Sequence, residues 1–398
     1  MLLKLGTAAF LVAGTVAVNA DDDISIQDAL AHTAFGDYLA HVDSLGALDT
    51  RTAQQLAWVH TFVGRPERTI NMKDDWAFVT RRVQPCEVAD GAIADADPLA
   101  TVFSAAAGTD VLLLNESHHK QSPRRFLYNT LDSLWVAGYR HIGFEALTKD
   151  IPSLEAFDQN TESLGHYLND PLFAGTVRKA LGMGFKVFAY EHIEPPKEGE
   201  HWHDSMRRRE IGQAANIARY LSAVPKGEKV LVWAGFQHIS KAQRGEGEAP
   251  SWMAARLEAT HGVKAYSVDL TMCSFEDAGA QDGLLYTMPD GSVALSMEAR
   301  QWVVDAQIHL PAKESPDPGY FRSTLGAPVM PPEGLRQASA AMLLEAYRKD
   351  QPEGSMPYDR VYMFEGENLP LYLPTGDYRV EAYSAGGIRL GRVPVTVP

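Results

Sequence analysis

Four short segments place carboxylates and imidazoles directly after apolar runs. Asn115-Glu116-Ser117-His118-His119 follows the run 111–114, and Glu145 follows 141–144. Tyr190-Glu191-His192 closes the run 186–190, and Gly235-Phe236-Gln237-His238 follows 229–234. A carboxylate beside an imidazole suits acid/base work, because it fixes the ring tautomer and steadies the imidazolium that forms on proton uptake. The same groups can ligate Zn or Mn. The candidate base is His119 or His118, with Glu116, Glu145 and Glu191 orienting it and His238 as a second base. Read as a metal site, the donors are Glu116, His119, Glu145 and His238. Ser122-Pro123-Arg124-Arg125 opens the next helix, where either arginine could hold an anionic group or a developing oxyanion. His201-Trp202-His203 could chelate a metal if extended, or be two loop histidines around an aromatic. No Gly-x-Ser-x-Gly elbow occurs, so a serine nucleophile is not expected.

The elements that must carry these residues alternate. Strand-like runs at 111–114, 141–144, 186–190, 229–234 and 265–270 are separated by helical patterns at 123–139, 171–182, 207–223 and 251–261. Glycines at 138, 182/184, 227 and 262 follow the helices, where a left-handed cap is wanted. Such alternation predicts an α/β fold, a mostly parallel sheet flanked by helices on both faces. All the polar strand ends then share the carboxyl edge, where open α/β sheets bind ligands. Further strands are expected at 284–288, 293–297 and 303–310, with a turn at Pro289-Asp290-Gly291.

Around this α/β unit (99–310) the chain divides further. Residues 1–20 read as a signal peptide: Lys4, an apolar run, then Val18-Asn19-Ala20 before three aspartates. Export to the periplasm or the medium follows. Residues 21–98 form a helical N-terminal lead-in expected to pack on the main body, with His32, His41 and His60 as ordinary residues. Residues 311–398 comprise a Pro-rich linker, a helix at 334–348 and a small β-rich C-terminal appendage. Cys86 and Cys273 are compatible with one disulfide in an oxidising compartment. A formal net charge of -15, with no basic block longer than Arg207-Arg208-Arg209, disfavours nucleic-acid binding. No later stretch is long and apolar enough to span a membrane. The expected partner is a small-molecule substrate.

The order of these motifs resembles the erythromycin esterase family and the wider erythromycin esterase/ChaN/Tiki-like superfamily. The family's Gly-Glu-x-(x)-His turn is similar to Asn115-Glu116-Ser117-His118-His119, its basic helix start to Ser122-Pro123-Arg124-Arg125, and its Glu-ended strand to Gly143-Phe144-Glu145. Its Arg-Asp-x-x-Met-Ala-x-Asn helix resembles Arg209-Glu210-Ile211-Gly212-Gln213-Ala214-Ala215-Asn216. Trp233-Ala234-Gly235-Phe236-Gln237-His238 stands where the family has Trp-Ala-His-Asn-x-His, an ending similar to the haem-binding and Tiki-like branches. The resemblance implies an exported ester or lactone hydrolase using His/Glu-activated water, with Arg209, Asn216 and Tyr190 near the substrate. The haem-uptake branch implies a second reading, an envelope protein that binds haem or iron through His118, His119 or His238, with Trp233, Phe236 and Tyr190 lining the slot. Three clustered glutamates argue against that slot.

Overall fold

The computed structural model describes residues 24–45, 48–69, 84–85, 87–95, 97–195, 197–244, 251–275, 283–295, 302–311, 315–335 and 340–398. The signal peptide expected over 1–20 lies outside them, as does Cys86. The backbone of Gln84–Pro85 does run parallel to Cys273 and Ser274. No helix among the described residues is long and apolar enough to cross a membrane.

Six strands make the central sheet: β1 Val111–Glu116, β2 Tyr139–Phe144, β3 Lys186–Ala189, β4 Lys229–Gly235, β5 Ala265–Asp269 and the short edge strand β6 Ala306–Gln307. Their order is β6-β5-β1-β4-β2-β3, and every pairing is parallel. The expected parallel α/β sheet is therefore present. Strand alternation divides its side chains between two cores. Leu112, Leu114, Ile142, Phe144, Leu231 and Trp233 pack with Leu127, Leu131 and Val177. Those three come from helices on one face, α5 Gln121–Val136 and α7 Pro171–Met183. Val111, Leu113, Val230 and Val232 pack with Ala214, Ile217, Met253 and Leu257, which belong to α8 Trp202–Leu221 and α9 Met253–His261 on the other. Both faces being covered, the strands read as unbroken apolar runs. Gly184 and Gly262 cap α7 and α9 in the left-handed conformation at φ 98° and 65°.

Three expectations change. The run expected as strand 303–310 joins the central sheet only at β6, while Leu310–Pro311 pairs with Cys273–Phe275 in a separate sheet. The expected hairpin strand shrinks to Leu285–Thr287, which pairs antiparallel with Ile93–Asp95. The helix expected at 334–348 is instead strand β7, Met342–Arg348. It lies between β8 Asp359–Met363 and β9 Gly376–Ser384, and β10 Arg389–Val397 completes an antiparallel sheet ordered β8-β7-β9-β10. β7 is buried on both sides, which erased the alternation that would have marked it as a strand.

The N-terminal helices account for one of those sides. Of α1 Ile26–His32, α2 Phe35–Ser44 and α3 Thr50–Phe62, the first is opened by Ser25 through a capping box and the third by the Asp49 carboxylate. Their Ile26, Phe35, Tyr38 and Phe62 form a core with Leu343 and Tyr362 of the C-terminal sheet. The lead-in thus packs on the appendage, and through Trp58 and Phe62 it also meets His166 and Tyr167 of the α/β body. The appendage is tied to that body through α7, whose Arg178 donates to the Pro357 carbonyl at 2.8 Å and pairs with Asp158 at 2.9 Å. Because Leu343 is fully buried at this junction, Leu343→Ala should destabilise the protein by about 2–5 kcal/mol in urea unfolding. A loss below about 1 kcal/mol would contradict a tightly packed junction.

Candidate active site

Glu116 ends β1 on the same face as Leu112 and Leu114, so its carboxylate meets α5. Arg124 grips it with two hydrogen bonds, Nε to Oε2 at 2.6 Å and Nη2 to Oε1 at 2.9 Å. The third guanidinium nitrogen, Nη1, lies 2.9 Å from Asp170, whose other oxygen caps α7. Arg124, Glu116 and Asp170 are each 1 % exposed. Burial alone would raise the Glu116 carboxyl, but the Arg124 charge and hydrogen bonds outweigh it and hold it down at about 2. An ionised carboxylate only accepts, so His118 Nδ1, 2.8 Å from Glu116 Oε1, carries the ring hydrogen. His118 Nε2 is left with its lone pair. The ring is stacked on Tyr167 with centroids 4.0 Å apart and planes 17° from parallel.

Nε2 faces the exit of β4. A Cβ at Gly235 would fall 2.4 Å from it and 2.9 Å from Glu145 Oε2, so only glycine leaves room. The Gly235 amide itself donates to Glu145. The residues following these two strand ends, Ala146 and Phe236, have φ of 62° and 28°, costly for side chains with a Cβ. Two adjacent chain reversals are thus held in unfavourable backbone, which marks a site built for position.

A second imidazole closes the cluster. His238 sets Nδ1 2.8 Å from Glu210 and Nε2 3.3 Å from Glu145. Burial lowers its proton affinity, but the two carboxylates overcome that and raise it to about 10, which favours the imidazolium. Arg209 bridges Glu145 at 2.7 Å and Glu191 at 3.0 Å, and Gln213 also donates to Glu191 at 2.8 Å. Five carboxylates (Glu116, Asp170, Glu145, Glu191, Glu210) therefore surround three fixed cations, Arg124, Arg209 and His238. Beside the cluster lies a cavity of about 380 Å³ bordered by Ala146, His166, Tyr167, Glu191, Arg208 and Arg209.

The predicted residues are distributed unevenly around this centre. Glu116, His118, Glu145, Glu191, Arg209 and His238 converge. His119 turns inward, buried beside Ser117 Oγ at 3.2 Å, and burial holds its proton affinity well below the usual range. Arg124 lies behind Glu116 instead of facing a ligand, and Arg125 sits over the Tyr320 ring at 4.5 Å. Tyr190 is buried and donates to the Trp233 carbonyl at 2.9 Å, and Asn216 donates to the carbonyls of Tyr190 and Glu191. Both brace β3 and its exit. His201 caps α8, accepting from the His203 amide, so His201 and His203 do not form an extended chelating pair. Sequence reasoning passed over Glu210, Asp170, Tyr167 and Gly235 as site residues. Asp170 before Pro171 carried a cap signal, whereas a stacking tyrosine carries none.

The metal set expected from Glu116, His119, Glu145 and His238 is not assembled. Glu116 and Glu145 are occupied by guanidinium groups, both His238 nitrogens by carboxylates, and His119 points elsewhere. Among the described residues no three His, Cys, Asp or Glu side chains are placed to hold a metal ion. Of the three histidines considered as haem ligands, both nitrogens of His238 are held by carboxylates and His119 is buried beside Ser117.

No protein-family model matches the chain, and no curated protein matches it. Among solved structures, the type III effector HopBA1 aligns with 55% of this chain and 96% of its own, at 14% identity and a TM-score of 0.37. RRSP, a MARTX toxin effector domain from Vibrio vulnificus CMCP6, aligns with 58% of this chain and 45% of its own, at 19% identity and 0.30. The C-terminal region of Pasteurella multocida toxin, described as carrying a thiol-protease like catalytic triad, aligns over 90% of this chain and 59% of its own, at 10% identity and a TM-score of 0.34. At such scores no property of those proteins carries over to this chain.

The depressed Glu116 carboxyl and the raised His238 imidazolium give opposite pH limbs. The Glu116 ion pair stabilises the fold fully above its ordinary 4.5 and is lost as pH falls toward about 2. The His238 contribution is complete below 6.5 and disappears as pH rises through about 10. Arg124→Met should cost about 3–5 kcal/mol near neutral pH, because it strands two buried carboxylates. Urea unfolding across a pH series reads both effects. Unchanged stability in Arg124→Met would show that the ion pairs are not formed. His238→Gln should flatten the alkaline limb.

Proposed function

We propose that this chain is a hydrolase of ester or lactone bonds in small molecules, with His118 as the base that activates water. One observation carries the reading: the buried Arg124–Glu116–His118 relay, which leaves the Nε2 lone pair next to Gly235 and Glu145. Glu116 fixes the tautomer and stabilises the imidazolium formed when Nε2 takes the proton of an attacking water. Glu145, ionised and saturated by Gly235, Arg209 and His238, serves as an electrostatic anchor rather than a second base. The imidazolium of His238 adds positive charge at the rim. A cavity of about 380 Å³ matches a small organic molecule. The erythromycin-esterase-like order of the motifs supports the same reaction class, and export through residues 1–20 would place it in the cell envelope or outside.

Purified protein assayed on a panel of aryl and alkyl esters and lactones tests this. His118→Gln should lower kcat/KM by roughly 10²–10⁴-fold, the usual worth of a positioned base. Gly235→Ala should give a comparable loss, since the added methyl meets His118 Nε2 and Glu145 Oε2. EDTA should leave turnover unchanged, because the carboxylates are held by arginines. Wild-type activity in His118→Gln would overturn the assignment, and chelator-sensitive turnover would reinstate a metal.

A further inference from the structure

In an ester hydrolysis the carbonyl oxygen gains negative charge and needs a hydrogen-bond donor. The arginines expected to provide it are engaged elsewhere: Arg124 is spent on Glu116 and Asp170, and Arg125 lies over Tyr320. Arg209 directs Nε and Nη2 at carboxylates, with Nη1 3.3 Å from His238 Nε2. A surplus of carboxylates around the site also blunts any cationic donor.

Tyr167 stands apart from this. It borders the cavity, its ring covers His118, and its hydroxyl takes no hydrogen bond from any described residue. It is also held from behind. Trp58 of α3 meets it edge-on at 6.0 Å, His166 at 5.4 Å, and Phe173 of α7 packs at 6.3 Å. Aromatic groups from the N-terminal helices and from the α/β unit therefore lock one phenol over the candidate base. Burial, aided by Glu145 and Glu116, pushes its ionisation well above the usual range, so the phenol keeps its hydrogen and can donate.

Resting on the hydrolase reading, we propose that Tyr167 is a catalytic residue with two duties: its ring orients His118, and its O–H donates a hydrogen bond to the oxyanion of an ester or lactone. The step balances without a co-reactant. Water oxygen bonds to the carbonyl carbon as His118 Nε2 takes one water proton, and the carbonyl π pair moves to oxygen, where the phenol hydrogen-bonds without transferring its proton. Collapse breaks the bond from carbon to the leaving oxygen, which takes the proton back from His118. Products are the carboxylic acid and the alcohol.

Two substitutions separate the duties. Tyr167→Phe keeps the stack and removes the hydroxyl, and should lower kcat by roughly 10²–10³-fold, the usual effect of losing one oxyanion donor. KM should stay within about twofold, because the interaction forms only in the transition state. The pH dependence of kcat/KM should keep its midpoint. Binding of an alkyl phosphonate, which mimics the tetrahedral oxyanion, should weaken in parallel with kcat. Tyr167→Leu, lacking both ring and hydroxyl, should lose more and also shift the pH midpoint. Turnover in Tyr167→Phe equal to wild type overturns the donor role while leaving the hydrolase reading intact. A wild-type protein that turns over no ester or lactone overturns the hydrolase reading, and the role of the phenol falls with it.

Discussion

A buried guanidinium held between two carboxylates is the constraint on which the rest of the site depends. Arg124 reaches back from α5 to Glu116 at the end of β1 and across to Asp170 at the start of α7. Removing any one of the three would leave an unpaired charge in a dry interior, so the geometry is enforced by desolvation as much as by attraction. That enforcement makes Glu116 a permanent anion, and a permanent anion makes His118 a donor at Nδ1 and an acceptor at Nε2. The tautomer of one imidazole is thus decided two residues deep in the core.

Its counterpart on the other side of Gly235 is wired in the opposite sense. His238 has an anion at each ring nitrogen, which favours the imidazolium, whereas His118 has the Glu116 anion at Nδ1 and the Gly235 exit at Nε2. Two histidines at the same sheet edge therefore meet different numbers of carboxylates, one at Glu116 and one between Glu210 and Glu145. Glu145 couples the halves, taking the Gly235 amide, Arg209 and His238 together. The unfavourable φ of Ala146 and Phe236 is the local cost of turning both chains sharply enough to leave that space.

The parts of the chain outside the α/β unit support this centre. The N-terminal helices pack on the C-terminal sheet through Leu343 and Tyr362, yet Trp58 and Phe62 of α3 also meet His166 edge-on at 5.2 and 5.1 Å. The segment 164–170, between α6 Leu154–Asp158 and α7, consequently has packed aromatics behind it and the site in front. A loop so braced can hold a functional ring with little freedom left to lose.

Much of this architecture was legible in the residues. Apolar runs located β1 to β5, and the Glu or His that follows the first four predicted a shared polar rim, because a parallel sheet puts all its carboxyl ends on one edge. Glu116, Glu145, Glu191 and His238 were placed by that logic alone. Other features had no one-dimensional signature. β7 carries apolar residues in succession because helices cover one face and its own sheet core the other, so its periodicity vanished and a helix was expected. Glu210 looked like part of an ordinary polar helix, since nothing local says that His238 will be brought against it. The choice between His118 and His119 lay beyond sequence for the same reason. Neighbouring residues leaving a strand point in opposite directions, and only the packing of Tyr167, Gly235 and Arg124 around the turn decides which of the two imidazoles stacks on Tyr167 at the Gly235 exit and which is buried beside Ser117.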